Sequence, residues 1–88
     1  MFAVVTNLRL LRVRKGLTLR DVSRELGIHD TWLCRIERGQ NYIPYHWRHV
    51  LADFFGVPVS EICDPETGWP ILVDIPMPNL VRKAEPNR

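Results

Sequence analysis

The sequence is poor in cysteine and in metal-ligand patterns. Its two cysteines, Cys34 and Cys63, are far apart and form neither a Cys-x-x-Cys pair nor a His/Cys spacing typical of zinc sites. His29, His46 and His49 are not spaced as ligands with a cysteine or a carboxylate cluster. We therefore expect no metal, no cofactor and no disulfide, but two free thiols in a reducing compartment. For Cys34, a redox switch is the alternative to an inert thiol.

Long apolar runs are also missing. No stretch approaches the roughly 20 apolar residues of a membrane span. The first residues, MFAVVTNLRLLR, lack the pattern of a secretory signal peptide. We expect a cytoplasmic protein. The chain also has no glycine-rich phosphate loop, nucleophile elbow or paired-carboxylate pattern, and it is too short to enclose a large cleft, so we expect no enzyme activity.

Charge of either sign is modest, with a formal net charge of +2 over 88 residues. Residues 1–63 carry nine Lys or Arg against six Asp or Glu, whereas residues 64–88 carry three against four. The basic excess is thus in the first segment, which is compatible with a surface facing phosphates. The length predicts one domain, and its small core makes oligomerisation a reasonable expectation.

The first half of the chain predicts three helices. Asn7 to Lys15 forms the first, with Thr6 or Asn7 as its cap and Gly16 as its stop. The second runs from Thr18 to about Leu26, because Thr18 and Asp21 have the spacing of a capping box, flanked by an apolar staple of Leu17 and Val22. After Gly27 a third helix, about 29–38, follows almost at once, with Ile28 buried under the turn. A short turn containing Gly between two helices is typical of a helix-turn-helix unit.

The second half predicts two more helices and a strand. Pro44 is placed to begin a helix at 45–55, whose apolar stripe is Trp47, Val50, Leu51 and Phe54. A short fifth helix begins at Pro58. Five of the seven prolines lie after residue 63, where helices are excluded.

The segment 69–75, between two prolines, is apolar and β-branched, which predicts a short strand. With no partner in an otherwise helical chain, this strand is expected to pair with its copy in a second subunit, and packing against its own helices is the alternative. The dimerisation residues of this prediction are Trp69, Ile71, Leu72, Val73 and Ile75. Residues 79–88 are expected to form a mobile tail. The domain prediction is thus a helical domain, 1–63, and a Pro-rich extension, 64–88.

The frame from about residue 7 to residue 62 resembles the Cro/phage-repressor (XRE-like) helix-turn-helix family. The residues that carry the resemblance are Leu8-x-x-Leu11-Arg12, Gly16-Leu17-Thr18, Val22, Leu26-Gly27-Ile28, Leu33, Arg35-Ile36-Glu37-Arg38-Gly39 and Leu51-Ala52-Asp53-Phe54-Phe55-Gly56-Val57. The resemblance implies an all-α fold, a lambda-repressor-like bundle of five helices followed by an extended C-terminal segment. The third helix would enter the major groove of DNA.

The resemblance also assigns site residues. Its base contacts fall on His29, Asp30, Thr31 and Arg35. Its backbone contacts fall on Thr18, Arg20, Trp32, Arg38, Gln40, Asn41 and Tyr42. Arg12 and Glu37 match a pair that forms an internal salt bridge in the family.

The chemistry of three base contacts agrees with that assignment. Arg35 can donate two hydrogen bonds to guanine, Asp30 can accept one from cytosine N4, and Thr31 can contact a polar edge or a thymine methyl. The alternatives are an internal ion pair for Arg35 and helix-dipole stabilisation for Asp30. Trp32 is large for a base contact and is expected to pack on the sugar–phosphate or on a neighbouring helix. Leu19 stands where the family commonly has a phosphate-binding Gln.

Two function classes follow. The first is a sequence-specific transcriptional regulator, expected to be a repressor and a homodimer on double-stranded DNA, with an antitoxin that represses its own operon as a special case. The second is a protein-interaction module, or an antitoxin-type partner protein, that keeps this fold without DNA binding. Leu19, the modest charge and the apolar segment 69–75 favour the second class.

Overall fold

A computed structural model describes residues 2–76 of the chain. Its elements in order are β1 (Phe2–Thr6), α1 (Asn7–Arg14), α2 (Leu19–Leu26), α3 (Asp30–Glu37), α4 (Tyr45–Phe55), a 3-10 turn (Val59–Glu61) and β2 (Leu72–Pro76). Four helices surround a core to which each contributes, and the two strands form a small sheet. The fold is therefore mostly helical, not all-α. The tail expected at 79–88 lies outside the described residues.

The helix-turn-helix unit forms as the local sequence predicts. Thr18 caps α2 through a complete capping box: its hydroxyl accepts from the Asp21 N–H at 3.0 Å, and the Thr18 N–H donates to the Asp21 carboxylate at 2.9 Å. Gly27 ends α2 in the left-handed region at φ 74°, a conformation that costs little only for Gly. The Ser23 hydroxyl donates to the Ile28 carbonyl across the turn at 2.5 Å. This short turn fixes α3 at an angle to α2 and leaves one face of α3 open.

The core lies between the helices and is closed by the segment after α4. Its fully buried side chains include Leu8, Val22, Leu33, Ile36, Ile43, Leu51 and Ile62. The stripe expected on α4 is rotated: Arg48, Leu51, Ala52 and Phe55 are the buried residues, whereas the other expected members are only half-buried. Pro44 is the residue before α4 and not its first residue.

The predicted fifth helix is wrong in kind, because residues 59–61 form a single 3-10 turn. The carbonyls of Pro58 and Val59 instead accept from Glu61 and Ile62 over three residues, at 3.0 and 2.9 Å. The chain then turns at once, so that Cys63 forms a β-bridge with Pro70.

The premise that the C-terminal strand lacks a partner in its own chain is also wrong. β2 pairs antiparallel with β1, with Thr6 opposite Leu72 and Val4 opposite Asp74. Two of the expected strand residues, Trp69 and Ile71, precede β2. The partner was missed although FAVVT at 2–6 is rich in β-branched residues, which favour strands. Pairing within the chain satisfies one edge of each strand without a second subunit.

Candidate nucleic-acid interface

The N-terminal end of α3 presents three of the four predicted base contacts. The side chain of His29 is 77% exposed, that of Asp30 is 45% exposed, and Thr31 is exposed. His29 caps the helix, since its Nδ1 accepts from the Thr31 N–H at 3.2 Å. The proton of the neutral ring is then on Nε2, which remains a donor. The Asp30 carboxylate lies 3.6 Å from Nδ1, but an ion pair there would require a protonated Nδ1 and would end the cap.

Arg35 follows one turn later on the same side of α3. Within residues 2–76 it forms no salt bridge, which disfavours the alternative of an internal ion pair. A shallow depression of about 370 Å³ brings it together with other predicted contacts. The lining residues are Leu19, Asp30, Thr31, Cys34, Arg35, Arg38 and Gln40. Donors and acceptors of α3 therefore converge on one open surface.

Leu19 supplies an apolar part of this surface. It is half-buried and packs against the core at the first residue of α2. The side chain of Leu19 cannot bond a phosphate, so a phosphate contact at the start of α2 must come from other groups. Thr18 and Arg20 are both exposed there. The Thr18 N–H is occupied by the capping box, so its hydroxyl proton is the donor that this residue has left.

The loop after α3 carries the remaining predicted backbone contacts. Arg38, Gln40 and Tyr42 are exposed, and Asn41 is half-buried. The Gln40 N–H donates to the Arg35 carbonyl at 2.9 Å, which ties the loop to the helix end. One amide hydrogen of Asn41 goes to the Tyr42 carbonyl at 2.9 Å, and Nδ2 has a second one to offer.

Trp32 belongs to a different surface. It is half-buried, and its ring meets that of Trp47 edge to face, with centroids 6.2 Å apart. Packing on a neighbouring helix is therefore the alternative that its position favours. Trp32 does not line the depression.

The C-terminal end of α3 is held by groups behind the open surface. Glu37, 5% exposed, accepts from Arg12 at 2.6 and 3.0 Å, so the internal salt bridge implied by the resemblance is present. Arg12 also donates to the Leu17 carbonyl at 2.7 Å. The buried Thr6 hydroxyl donates to the Glu37 carbonyl at 2.8 Å, a contact that the sequence did not reveal because β1 was not predicted. These bonds join α1, the α1–α2 loop and β1 to one helix end.

Other kinds of site find little support among residues 2–76. No three His, Cys, Asp or Glu side chains there come close enough to hold a metal ion. The helices of this part are all too short or too polar to cross a membrane. Cys34 is half-buried and Cys63 is buried, and both are free thiols.

Comparison with known proteins gives one match. No curated protein and no solved structure matches the chain. A family model described as "Helix-turn-helix domain" matches residues 4–62, about two thirds of the chain. The matched range begins in β1 and ends at the buried Ile62, so it contains α2, the Gly27 turn and α3 with its open surface. Domains of this kind bind DNA, and the chain belongs to the helix-turn-helix family, consistent with its resemblance to the Cro/phage-repressor type.

Proposed function

We propose that this protein is a sequence-specific DNA-binding transcriptional regulator that places α3 in the major groove. The observation that carries the proposal is the open surface of α3, where exposed polar side chains converge in a chain of the helix-turn-helix family. The opposite side of α3 is anchored by the buried Leu33 and Ile36. A helix held this way can present base contacts without moving. Catalysis is not part of the proposal.

The proposed base contacts divide by chemistry. Arg35 is the guanine contact, because its guanidinium can donate to O6 and N7 together and has no carboxylate partner in the described chain. Asp30 accepts from cytosine N4, and Thr31 contacts an adjacent base edge. His29 offers its Nε2–H to a base acceptor or a phosphate. Asp30 repels phosphates, so its presence favours sites with cytosine at that position.

The proposed backbone contacts lie on both sides of α3. Arg38, Gln40, Asn41 and Tyr42 follow its C-terminal end, and Thr18 and Arg20 begin α2. Contacts of this kind fix the position of the helix on the duplex, and the two charged ones, Arg20 and Arg38, contribute to the salt dependence of binding.

We further propose a homodimer that represses by occupying its site. Two α3 helices would then contact half-sites about one helical turn apart. The exposed apolar side chains of the sheet support this: Val4 is 62% exposed and Leu72 is 57% exposed, and they neighbour each other on one face. Of the residues first expected at the interface, Leu72 is on this face, whereas Val73 and Ile75 alternate to the other face of β2, and Trp69 and Ile71 precede the strand. The proposed interface is therefore centred on Leu72 and Val4. Replacing Leu72 with Asp should halve the mass in solution measured by light scattering if this face is the interface.

The test of DNA binding is selection of bound sequences from a random pool, followed by affinity measurements at several salt concentrations. We expect a selected site with two-fold symmetry and affinity that falls steeply with salt. Arg35→Ala should relax the preference at one base pair of each half-site. Arg24→Ala is the matched control, because Arg24 is 71% exposed, pairs with Asp21 on α2 and does not line the depression. Binding that is absent, or insensitive to salt, would exclude this function.

The second candidate is a protein-interaction module, including an antitoxin-type partner. The exposed apolar side chains of the sheet favour it, since such side chains mark interaction surfaces when they cluster. In that case Leu72→Asp should abolish partner binding, whereas Arg35→Ala should leave it unchanged.

A further inference from the structure

A turn outside the matched family region packs against the loop that follows α3. Residues 64–70 come after the matched range, yet the Ile43 N–H donates to the Gly68 carbonyl at 2.8 Å. Next to this bond the rings of Tyr42 and Trp69 lie with centroids 6.3 Å apart. The loop is therefore fixed at its far end by a segment that is distant in sequence.

Arg48 on α4 donates hydrogen bonds to the same two segments, the loop after α3 and residues 64–70. Its Nε donates to the Ile43 carbonyl at 2.7 Å, and its Nη1 donates to the Pro65 carbonyl at 3.1 Å. Arg48 is only 8% exposed, and it has no carboxylate partner within residues 2–76. A buried guanidinium is costly unless its donors are used, and here backbone carbonyls use them.

Gly68 is required by the same geometry. Its φ of 83° lies in the left-handed region, and a Cβ there would collide with the Arg48 guanidinium and the Ile43 carbonyl. Any side chain at 68 must displace one of the two. Arg48, Gly68 and Ile43 thus form one junction, which we call the loop clamp.

We propose that Arg48 and Gly68 are positioning residues for DNA binding: the loop clamp holds Gln40, Asn41 and Tyr42 in the conformation that contacts the DNA backbone. The inference rests on the proposed function. All four proposed backbone contacts after α3 lie between the end of α3 at Glu37 and the clamped Ile43. A loop that is ordered before binding loses less conformational entropy on binding. The clamp touches no base contact, so it affects affinity and not base preference.

Two substitutions test the clamp without changing net charge. Arg48→Lys keeps the charge but removes the fork of donors that reaches two carbonyls. Gly68→Ala leaves Arg48 in the sequence, but the added Cβ displaces the Arg48 guanidinium. We expect each to weaken DNA binding and to leave the selected sequence unchanged. Because Gln40, Asn41 and Tyr42 are uncharged and release no counterions, affinity should fall at every salt concentration while the slope of log affinity against log salt stays at the wild-type value.

Matched controls separate this role from a loss of stability. Arg24→Lys makes the same exchange at an exposed site. Gly56→Ala introduces comparable backbone strain at φ 69° in open space, with nothing within 4 Å of the added Cβ. Both controls should keep the wild-type affinity per active molecule. A variant that is partly unfolded has less active protein, so the active fraction of each variant is measured by stoichiometric titration with DNA and affinities are compared per active molecule.

A second measurement tests whether the clamp acts through the loop. In a Gln40→Ala/Asn41→Ala/Tyr42→Ala background, Gly68→Ala should have no further effect on affinity. Additive effects there, or wild-type affinity per active molecule for both clamp variants, would overturn the inference. If the wild type itself shows no salt-dependent DNA binding, the proposed function fails instead.

Discussion

Replacing Glu37 with Met should strongly destabilise this protein, because it leaves the Arg12 guanidinium 12% exposed and without its carboxylate. Removing one partner of a buried ion pair costs about 3–5 kcal/mol. A chain of this length has a free energy of unfolding of roughly 4–13 kcal/mol, at about 0.05–0.15 kcal/mol per residue. The substitution should therefore lower the melting temperature by about 12 °C or more, at about 4–8 °C per kcal/mol.

Arg12→Met should cost at least as much, because the Leu17 carbonyl also loses its donor. The double variant Arg12→Met/Glu37→Met should recover most of the loss and stay within about 2 kcal/mol of the wild type, since two apolar side chains of similar volume can replace a buried ion pair. Urea unfolding followed by tryptophan fluorescence would give all four free energies. Protein concentration must be held constant, because any dimer links stability to concentration.

The double variant tests whether Arg12 and Glu37 are energetically coupled. If its loss of unfolding free energy equals the sum of the two single losses, Arg12 and Glu37 are not coupled, and the reasoning about a closed ion pair behind α3 is wrong. A coupling free energy of about 2 kcal/mol or more would support it.

Three further predictions concern caps and thiols. Thr18→Ala should destabilise the protein by about 1 kcal/mol, seen in thermal unfolding, because α2 loses its capping hydroxyl. Hydrogen bonding by Thr18, above all the bond that its backbone N–H donates to the carboxylate, lowers the pKa of Asp21, with a smaller contribution from Arg24. The contribution of Asp21 to stability is therefore complete above its ordinary pKa of about 4, and it is lost as the pH falls through the lower pKa of the folded state. An NMR titration that gives the ordinary pKa would contradict this. Burial raises the pKa of the Cys63 thiol, so native protein should react with a thiol reagent once per chain, at Cys34, and at both cysteines only when denatured.

Local sequence patterns determined the helix-turn-helix unit. The capping box of Thr18 and Asp21, the Gly27 stop and the apolar spacing of Leu33 and Ile36 act over one or two helical turns. Such short-range signals depend little on the rest of the chain. They also indicated which face of α3 is open, and the family resemblance assigned the candidate base contacts to that face.

Tertiary structure alone decided which distant segments meet. The apolar run before Pro76 predicted a strand, whereas β1 was missed although its β-branched residues favour one. Neither pattern states its partner, because pairing depends on loop closure across the whole domain. The same applies to Arg48, which is buried because the buried face of α4 differs from the apolar stripe expected from the sequence. It applies also to Gly68, which is needed only because Ile43 and Arg48 lie next to it. The identity of a side chain does not indicate which backbone carbonyls it will contact in the folded protein. The sequence could therefore place the surface proposed to contact DNA, whereas the junction that holds its loop became visible only in the folded chain.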